Sequence, residues 1–142
     1  MFLFVYGTLL DIDKATRILK DGIIFTRKAF LPGYELVFDV ESINGTGNPN
    51  IRKGKRGVWG AVYEINGRCL ELLDKISPRY RRIEVEVIVN GKPVKAWTYV
   101  GKSSADVPPD RSCVEMIVKG AKYHGLPEEY IRWLESLLDS GQ

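Results

Sequence analysis

The sequence predicts an α+β fold, in which a mixed or antiparallel sheet curls toward a barrel and short helices pack on its outside. Strand-like runs dominate the chain as far as Tyr99 and are interrupted by short helical segments. Asn90-Gly91, between two runs of alternating side chains, is the strongest short-range signal for a β-hairpin. Two amphipathic helical stripes follow the last strand. From the length of 142 residues, we expect residues 1–142 to form one domain.

Strands are expected at residues 2–6, 22–30, 34–40 and 58–65, and as a hairpin over 82–99. The first run is continuously apolar, as in a strand that is covered on both faces, and Gly7 ends it. In the hairpin, apolar side chains alternate with Glu84 and Glu86, which is the period of a half-buried strand. Residues 41–56 are rich in Gly, Asn and Pro and lack periodicity, so we expect a long loop there.

Four short helices are expected between and after these strands. Asp11 or Asp13 can cap the first helix, which ends at residues 21–22. The second covers residues 68–76, where apolar side chains recur at helical spacing. The last two follow a link rich in Gly, Ser and Pro, and the final helix begins at Pro127, a residue favoured in the first turn.

Composition and charge exclude several classes of protein. The chain is 44% hydrophobic and 27% charged, which is typical of globular domains. A net charge of +3 is too mild for a dedicated nucleic-acid-binding protein. Cys69 and Cys113 form no CxxC pair and indicate reduced thiols. No run resembles a signal peptide or reaches the roughly 20 apolar residues of a membrane span, so we expect a cytoplasmic protein without membrane partners.

Generic motifs for cofactors and metals are missing from the sequence. It contains no GxxxxGK[ST], no GxGxxG after a strand and no HExxH. The single histidine, His124, argues against a catalytic triad or a zinc site, and we expect it to act as a cation at a helix C-terminus. Basic residues form two clusters that we expect to be solvated, with a rim attracting a small anion as the alternative: Arg52, Lys53, Lys55 and Arg56, then Arg79, Arg81 and Arg82.

The stretch Tyr6-Gly7-Thr8-Leu9 carries the clearest indication of a site. A strand that ends in glycine lets the backbone approach a ligand closely. The amides that follow can point together into a cavity, where they bind a carboxylate or stabilise a developing oxyanion. An ordinary strand-to-helix turn is the alternative.

Longer motifs extend this indication along the chain. VYGTLL, LPGYELVF, GVWGAVYEI, LELLD, YRRIEVEV and AWTYV follow one another, and in this order they resemble the gamma-glutamylcyclotransferase-like family. The tail SCVEMIVKGAKYHGLPEEYIRWL is similar to a helix pair of that family with the pattern GA…GLP-Y. The resemblance spans nearly the whole chain and implies a small mixed barrel with helices outside.

The resemblance also implies an activity, the cyclisation of a γ-glutamyl group to 5-oxoproline with release of an amine or amino acid. It implies no metal and no organic cofactor, and a small-molecule partner that carries a γ-glutamyl-like group. The loop amides would hold the glutamyl moiety and stabilise the oxyanion. The implied substrate-binding residues are Tyr6, Gly7, Thr8, Leu9 and Tyr80.

The general base of the family does not carry over to this sequence. That base is a glutamate three residues after the aspartate of an LD-x-x-E-G motif, and Ser77 stands at its position after Asp74. Serine is no base near neutral pH without a partner, and Asp74 is expected to be structural. Glu84, Glu86 and Glu41 are possible substitutes, although surface carboxylates are usually solvated.

The sequence therefore leaves the catalytic residue unassigned and three functions open. The first is a cyclotransferase with a relocated base. The second is a catalytically silent protein of the same fold that binds a small carboxylate or amine. The third is a nucleic-acid-associated module that uses the basic clusters; we expect no nucleic-acid partner, because these clusters lack interleaved aromatic residues.

Overall fold

A computed structural model of the chain describes residues 1–140, which form seven strands and four helices. The strands are β1 (Phe2–Val5), β2 (Ile23–Leu31), β3 (Tyr34–Glu41), β4 (Gly47–Lys53), β5 (Val58–Ile65), β6 (Tyr80–Val89) and β7 (Lys92–Gly101). The helices are α1 (Ile12–Leu19), α2 (Gly67–Ile76), α3 (Arg111–His124) and α4 (Glu128–Ser140). One turn of 3₁₀ helix, Thr8–Leu10, joins β1 to α1. Within the described residues, no helix is both long enough and apolar enough to span a membrane.

Five strands close into a barrel in the order β1-β5-β2-β6-β7. Neighbouring strands are antiparallel except at the seam, where β7 pairs with β1 in parallel at Leu3 and Trp97. Beside this short seam, the Thr98 hydroxyl donates to the Phe4 carbonyl oxygen at 2.8 Å and so satisfies a buried acceptor of β1. The predicted α+β fold with a mixed, barrel-like sheet is confirmed.

The prediction of a loop over residues 41–56 is wrong in its central part. Gly47–Lys53 (β4) pairs with β3 in an antiparallel two-stranded sheet that is separate from the barrel. The Gly47 N–H donates to the Pro108 carbonyl oxygen at 2.8 Å, and the Gly47 carbonyl oxygen accepts from the Asp110 N–H at 2.9 Å. Because these partners lie far away in the sequence, local composition gives no sign of the strand.

The other turns and caps agree with the sequence. Asn90 and Gly91 adopt φ values of 52° and 77°, the left-handed region that a two-residue hairpin turn needs. The Asp11 carboxylate caps α1 by accepting from the Asp13 N–H at 3.1 Å. Gly125, with φ 68°, ends α3 in the left-handed conformation.

The core fills the barrel and continues under α3 and α4, and its largest fully buried side chains include Tyr63, Phe4 and Leu10. Helix α3 packs directly on the 3₁₀ turn after β1. A Cβ atom at Gly120 would lie 2.5 Å from the Leu10 Cβ and closer still to the Leu10 carbonyl group. Only glycine allows this approach, so Gly120 determines how closely α3 backs the turn.

Candidate functional site

A cavity of about 480 Å³ opens where β1 ends, a volume suited to a small molecule. Its walls come from the end of β1 and the YGTL loop (residues 6–9), from α1, from β4, from the α2–β6 connection and from the start of α3. The structure thus brings every residue predicted to bind substrate to one cavity, and with them Ser77: Tyr6, Gly7, Thr8, Leu9 and Tyr80. Their role in binding stays a prediction.

Three N–H groups of the YGTL loop have no acceptor among the described residues. Among the hydrogen bonds of residues 1–140, none is donated by the N–H of Gly7, Thr8 or Leu9. The Gly7 and Thr8 carbonyl oxygens, by contrast, accept from the Leu10 and Asp11 N–H groups at 3.0 and 3.1 Å. Backbone donors normally have partners, so three free donors at a cavity wall can bind an anion or stabilise a developing oxyanion.

Two tyrosines of the cavity wall use their hydroxyl protons within the fold. The Tyr6 hydroxyl donates to the Tyr99 carbonyl oxygen at 2.6 Å, and the Tyr80 hydroxyl donates to the Pro49 carbonyl oxygen at 2.7 Å. Burial raises the pKa of both phenols well above the usual value. Both hydroxyl groups therefore stabilise the fold: Tyr6 connects the YGTL loop to β7, and Tyr80 connects β6 to β4.

Ser77, which the resemblance places at the position of the general base, lies at the cavity and carries no basic group. Ser77 follows the last residue of α2, and its carbonyl oxygen accepts from the Tyr80 N–H at 3.1 Å. Next to it, one guanidinium nitrogen of Arg79 donates to the Glu41 carbonyl oxygen at 2.5 Å. Of the two basic clusters, only Arg79 lines the cavity, so the alternative of an anion-attracting rim is reduced to one side chain.

No carboxylate lines the cavity within the part of the chain that the structure describes. Glu84 and Glu86 are exposed on β6, and Glu41 is exposed at the end of β3. Asp74 accepts from the Tyr99 hydroxyl at 2.7 Å and pairs with Arg82 at 3.3 Å, so it fastens α2 to the barrel. None of the carboxylates considered as substitute bases reaches the site.

Several cavity residues were not among the sequence candidates, and Lys14 and Cys113 are two of them. Lys14, half-buried on α1, donates from Nζ to the Thr8 hydroxyl oxygen at 2.6 Å. Burial lowers the pKa of its ammonium group. Cys113, in the first turn of α3, contacts the Asn48 side-chain oxygen at 3.5 Å, and burial together with Asp110 raises the pKa of its thiol to about 11. One feature of the sequence could have indicated these two residues. A side chain near the start of a helix tilts back toward the turn that precedes the helix.

His124 has a structural role at the end of α3, as expected, but its surroundings do not favour the expected cation. Its Nε2 atom lies 3.1 Å from the Leu10 carbonyl oxygen and 3.1 Å from the Tyr63 hydroxyl. Since a carbonyl oxygen only accepts, Nε2 carries a proton in that contact. Burial lowers the pKa of the ring, which favours neutral imidazole. His124 braces the 3₁₀ turn from behind and does not line the cavity.

Among residues 1–140 there is no cluster of three or more His, Cys, Asp or Glu side chains that could hold a metal ion. Among residues 1–140, the ionisable side chains at the cavity wall are an amine, a guanidinium group, phenols and a thiol, with no carboxylate: Lys14, Arg79, Tyr6, Tyr80, Tyr99 and Cys113. Together with the free loop amides, they make the cavity suited to a small anionic molecule.

Comparison with known proteins gives three sequence matches of note. A model of the family described as gamma-glutamyl cyclotransferase, AIG2-like, matches residues 3–123. A gamma-glutamylcyclotransferase from Bos taurus is 38% identical over 85 residues, which cover 56% of this chain and 45% of that protein. A gamma-L-glutamyl-butirosin B gamma-glutamyl cyclotransferase from Niallia circulans is 29% identical over 109 residues, 69% of this chain and 65% of that protein. The matched segments thus span less than two thirds of these relatives' own length.

Solved structures give matches over longer stretches. A gamma-glutamyl cyclotransferase superimposes with a TM-score of 0.87 and 27% identity, covering 95% of this chain and 86% of the other. An uncharacterized protein from Homo sapiens superimposes with a TM-score of 0.85 and 28% identity, covering 94% and 85%.

Proposed function

This chain belongs to the gamma-glutamyl cyclotransferase, AIG2-like family, and on that premise we propose that it cyclises a γ-glutamyl group to 5-oxoproline. In this reaction the α-amine attacks its own γ-carbonyl carbon, a five-membered lactam closes, and an amine or amino acid leaves. The proposal involves no cofactor, and its substrate is a small molecule. The cytoplasmic location, the single domain and the absence of a nucleic-acid partner stay predictions.

The observation that supports this function best is the set of free N–H groups at Gly7, Thr8 and Leu9 on the cavity wall. Attack on the γ-carbonyl places negative charge on its oxygen, and donors that are already in place stabilise this charge without reorganisation. The wall also carries the basic side chains Lys14 and Arg79, and the Arg79 guanidinium suits the α-carboxylate of a glutamyl group.

A second candidate function is a catalytically silent protein that binds a γ-glutamyl-like ligand in the same cavity. The specific observation in its favour is Ser77 at the base position, together with a cavity wall free of Asp and Glu among the described residues. Loss of general acid–base catalysis costs roughly 10²–10⁴-fold in rate, while the amide donors remain able to bind.

The test uses the purified full chain and a panel of γ-glutamyl compounds whose amine halves are neutral, anionic or dicationic, with 5-oxoproline as the measured product. We expect product, and more from neutral than from dicationic amine halves, because the cavity wall carries two basic side chains and no described carboxylate. Thermal shifts with 5-oxoproline and glutamate measure binding separately from turnover.

Gly7→Val is the diagnostic variant, because a Cβ atom at Gly7 already lies 3.3 Å from two atoms of the Pro49 ring and the extra methyl groups would crowd the loop. Gly67→Val is the matched control, since Gly67 has open space around it. Product that is lost in Gly7→Val supports the cyclotransferase. A thermal shift without product, also lost in Gly7→Val, supports the silent protein. Neither product nor shift in the wild type refutes both.

A further inference from the structure

Cyclisation needs a proton acceptor, and the structure offers one that the sequence motifs did not indicate. We propose that Lys14 is the general base and acid of this site, in place of the glutamate whose position Ser77 occupies. The inference rests on the proposed cyclotransferase function. Its first observation is the distance of 2.6 Å between Lys14 Nζ and the Thr8 hydroxyl oxygen. Thr8 also has one of the free backbone N–H groups of the loop.

Helix geometry explains how Lys14 reaches the loop. Helix α1 begins at Ile12, directly after the Asp11 cap, so Lys14 lies in its first turn. Side chains of a helix tilt toward its N-terminus. For Lys14 that direction leads back to the YGTL loop, and the residue accordingly lines the cavity.

Burial of Lys14 favours its neutral amine over the ammonium form. No Asp or Glu within residues 1–140 forms an ion pair with Lys14, whereas Lys119 pairs with both Asp11 and Asp13. Burial and Arg17, on the same helix, lower the pKa of Lys14, while Cys113 on α3 and the Asp11 carboxylate oppose this change. A substrate ammonium beside Lys14 would lower its pKa further, because two cations repel.

The other ionisable groups of the cavity are poorer candidates. The hydroxyl protons of Tyr6 and Tyr80 are already donated to carbonyl oxygens. Cys113 has a pKa of about 11, and Arg79 is a guanidinium, which stays protonated in proteins. The histidine of the chain lies behind the loop and not in the cavity.

In the proposed reaction, Lys14 first accepts a proton from the substrate and later returns it to the leaving group. Neutral Lys14 removes one proton from the α-ammonium, and the freed amine forms a C–N bond to the γ-carbonyl carbon, whose π electrons move to the oxygen. When the tetrahedral species collapses, the C–N bond to the leaving nitrogen breaks and Lys14 returns its proton to that nitrogen. The second proton of the attacking nitrogen leaves with the released amine, which departs as an ammonium ion.

Lys14→Arg is the sharpest test, since it keeps a cation that can hydrogen-bond Thr8 but cannot serve as a base near neutral pH. We expect kcat to fall roughly 10²–10⁴-fold while the thermal shift with 5-oxoproline is retained. Lys75→Arg, at an exposed position next to the cavity residue Ile76, is the control and should keep the wild-type rate.

A second variant separates proton transfer from mere positioning. In Lys14→Ala, added methylamine should restore turnover in proportion to its neutral fraction as the pH rises, which a purely structural role would not produce. A Lys14→Arg enzyme with near-wild-type kcat, or a Lys14→Ala enzyme that melts normally and gains nothing from methylamine, refutes the role of Lys14 and leaves the cyclotransferase function intact. A wild type without turnover on any substrate refutes both.

Discussion

Replacing Gly120 by alanine tests whether the close packing of α3 on the 3₁₀ turn is as tight as the structure indicates. In the interior of a helix, alanine is normally favoured over glycine by about 1 kcal/mol. At Gly120 the new methyl group would lie 2.5 Å from the Leu10 Cβ and closer to its carbonyl carbon and oxygen. Two of these three atoms belong to the backbone and cannot rotate away, so α3 and the turn must separate.

The magnitude follows from two opposing effects. Overpacking a tight interior costs about 1–3 kcal/mol, which opposes the propensity gain of about 1 kcal/mol. We expect the free energy of unfolding to fall by up to about 2 kcal/mol, or by up to roughly 7 °C in Tm for a chain of this size. Because Leu10 follows the free donors of the YGTL loop, the thermal shift with 5-oxoproline should also weaken.

The control is the same glycine-to-alanine substitution at a position where an added Cβ atom has open space around it. Gly67 opens α2, is exposed and has no atom within 4 Å of an added Cβ, so Gly67→Ala should raise the free energy of unfolding by up to about 1 kcal/mol. Urea unfolding followed by circular dichroism compares the two variants. If Gly120→Ala stabilises the protein as Gly67→Ala does, the packing argument is wrong.

Two further predictions concern the dependence of stability on pH. Burial lowers the folded-state pKa of His124 below its unfolded value of about 6.5. The unfolded state therefore binds the proton first as the pH falls, and the wild type should lose stability from about pH 6.5 downward, a slope that His124→Gln should flatten between pH 7.5 and roughly 5.5. Hydrogen bonds from Ser112 and Thr46 lower the pKa of Asp110 to about 2, so its stabilisation is present above about pH 3.9 and is lost as the pH falls through about 2. After allowance for solvent screening, that stabilisation is about 1 kcal/mol. Asp110→Asn should lose it but keep the cap of α3, Asp110→Ala should lose about 1 kcal/mol more, and equal losses in the two variants would contradict the capping role.

Most of the fold was predictable because its elements carry local signals, whereas β4 lacks such signals although it pairs with the preceding strand β3. Asn48, Pro49 and Asn50 have low strand propensity. The buried Asn50 side chain is nevertheless satisfied, because it donates to the Asp39 carboxylate at 2.8 Å and accepts from the Gly101 N–H at 2.8 Å. These partners belong to β3 and β7, and no window of the sequence around β4 contains them both.

The site was predictable where a motif marked it and unpredictable where separate elements meet. A glycine at the end of an apolar strand indicates the YGTL loop in the sequence. Ser77 and Tyr80, which the family motifs indicate, line the same cavity. Lys14 was missed because a lysine in the first turn of a helix usually indicates an exposed surface position. Asn48 and Cys113 were missed because their place at the cavity depends on how β4 and α3 meet, which no local pattern encodes.

The free donors of the loop depend on residues that do not line the cavity. The Tyr63 hydroxyl donates to the Leu9 carbonyl oxygen at 2.6 Å, and His124 Nε2 lies 3.1 Å from the Leu10 carbonyl oxygen. With Gly120 packed against Leu10, these contacts occupy the carbonyl groups on the α3 side and hold the turn in one conformation. Donors that are fixed before the ligand arrives cost no reorganisation when charge develops. Gly120 and His124 near the C-terminus therefore form one structural unit with the loop near the N-terminus, although these segments lie far apart in the sequence.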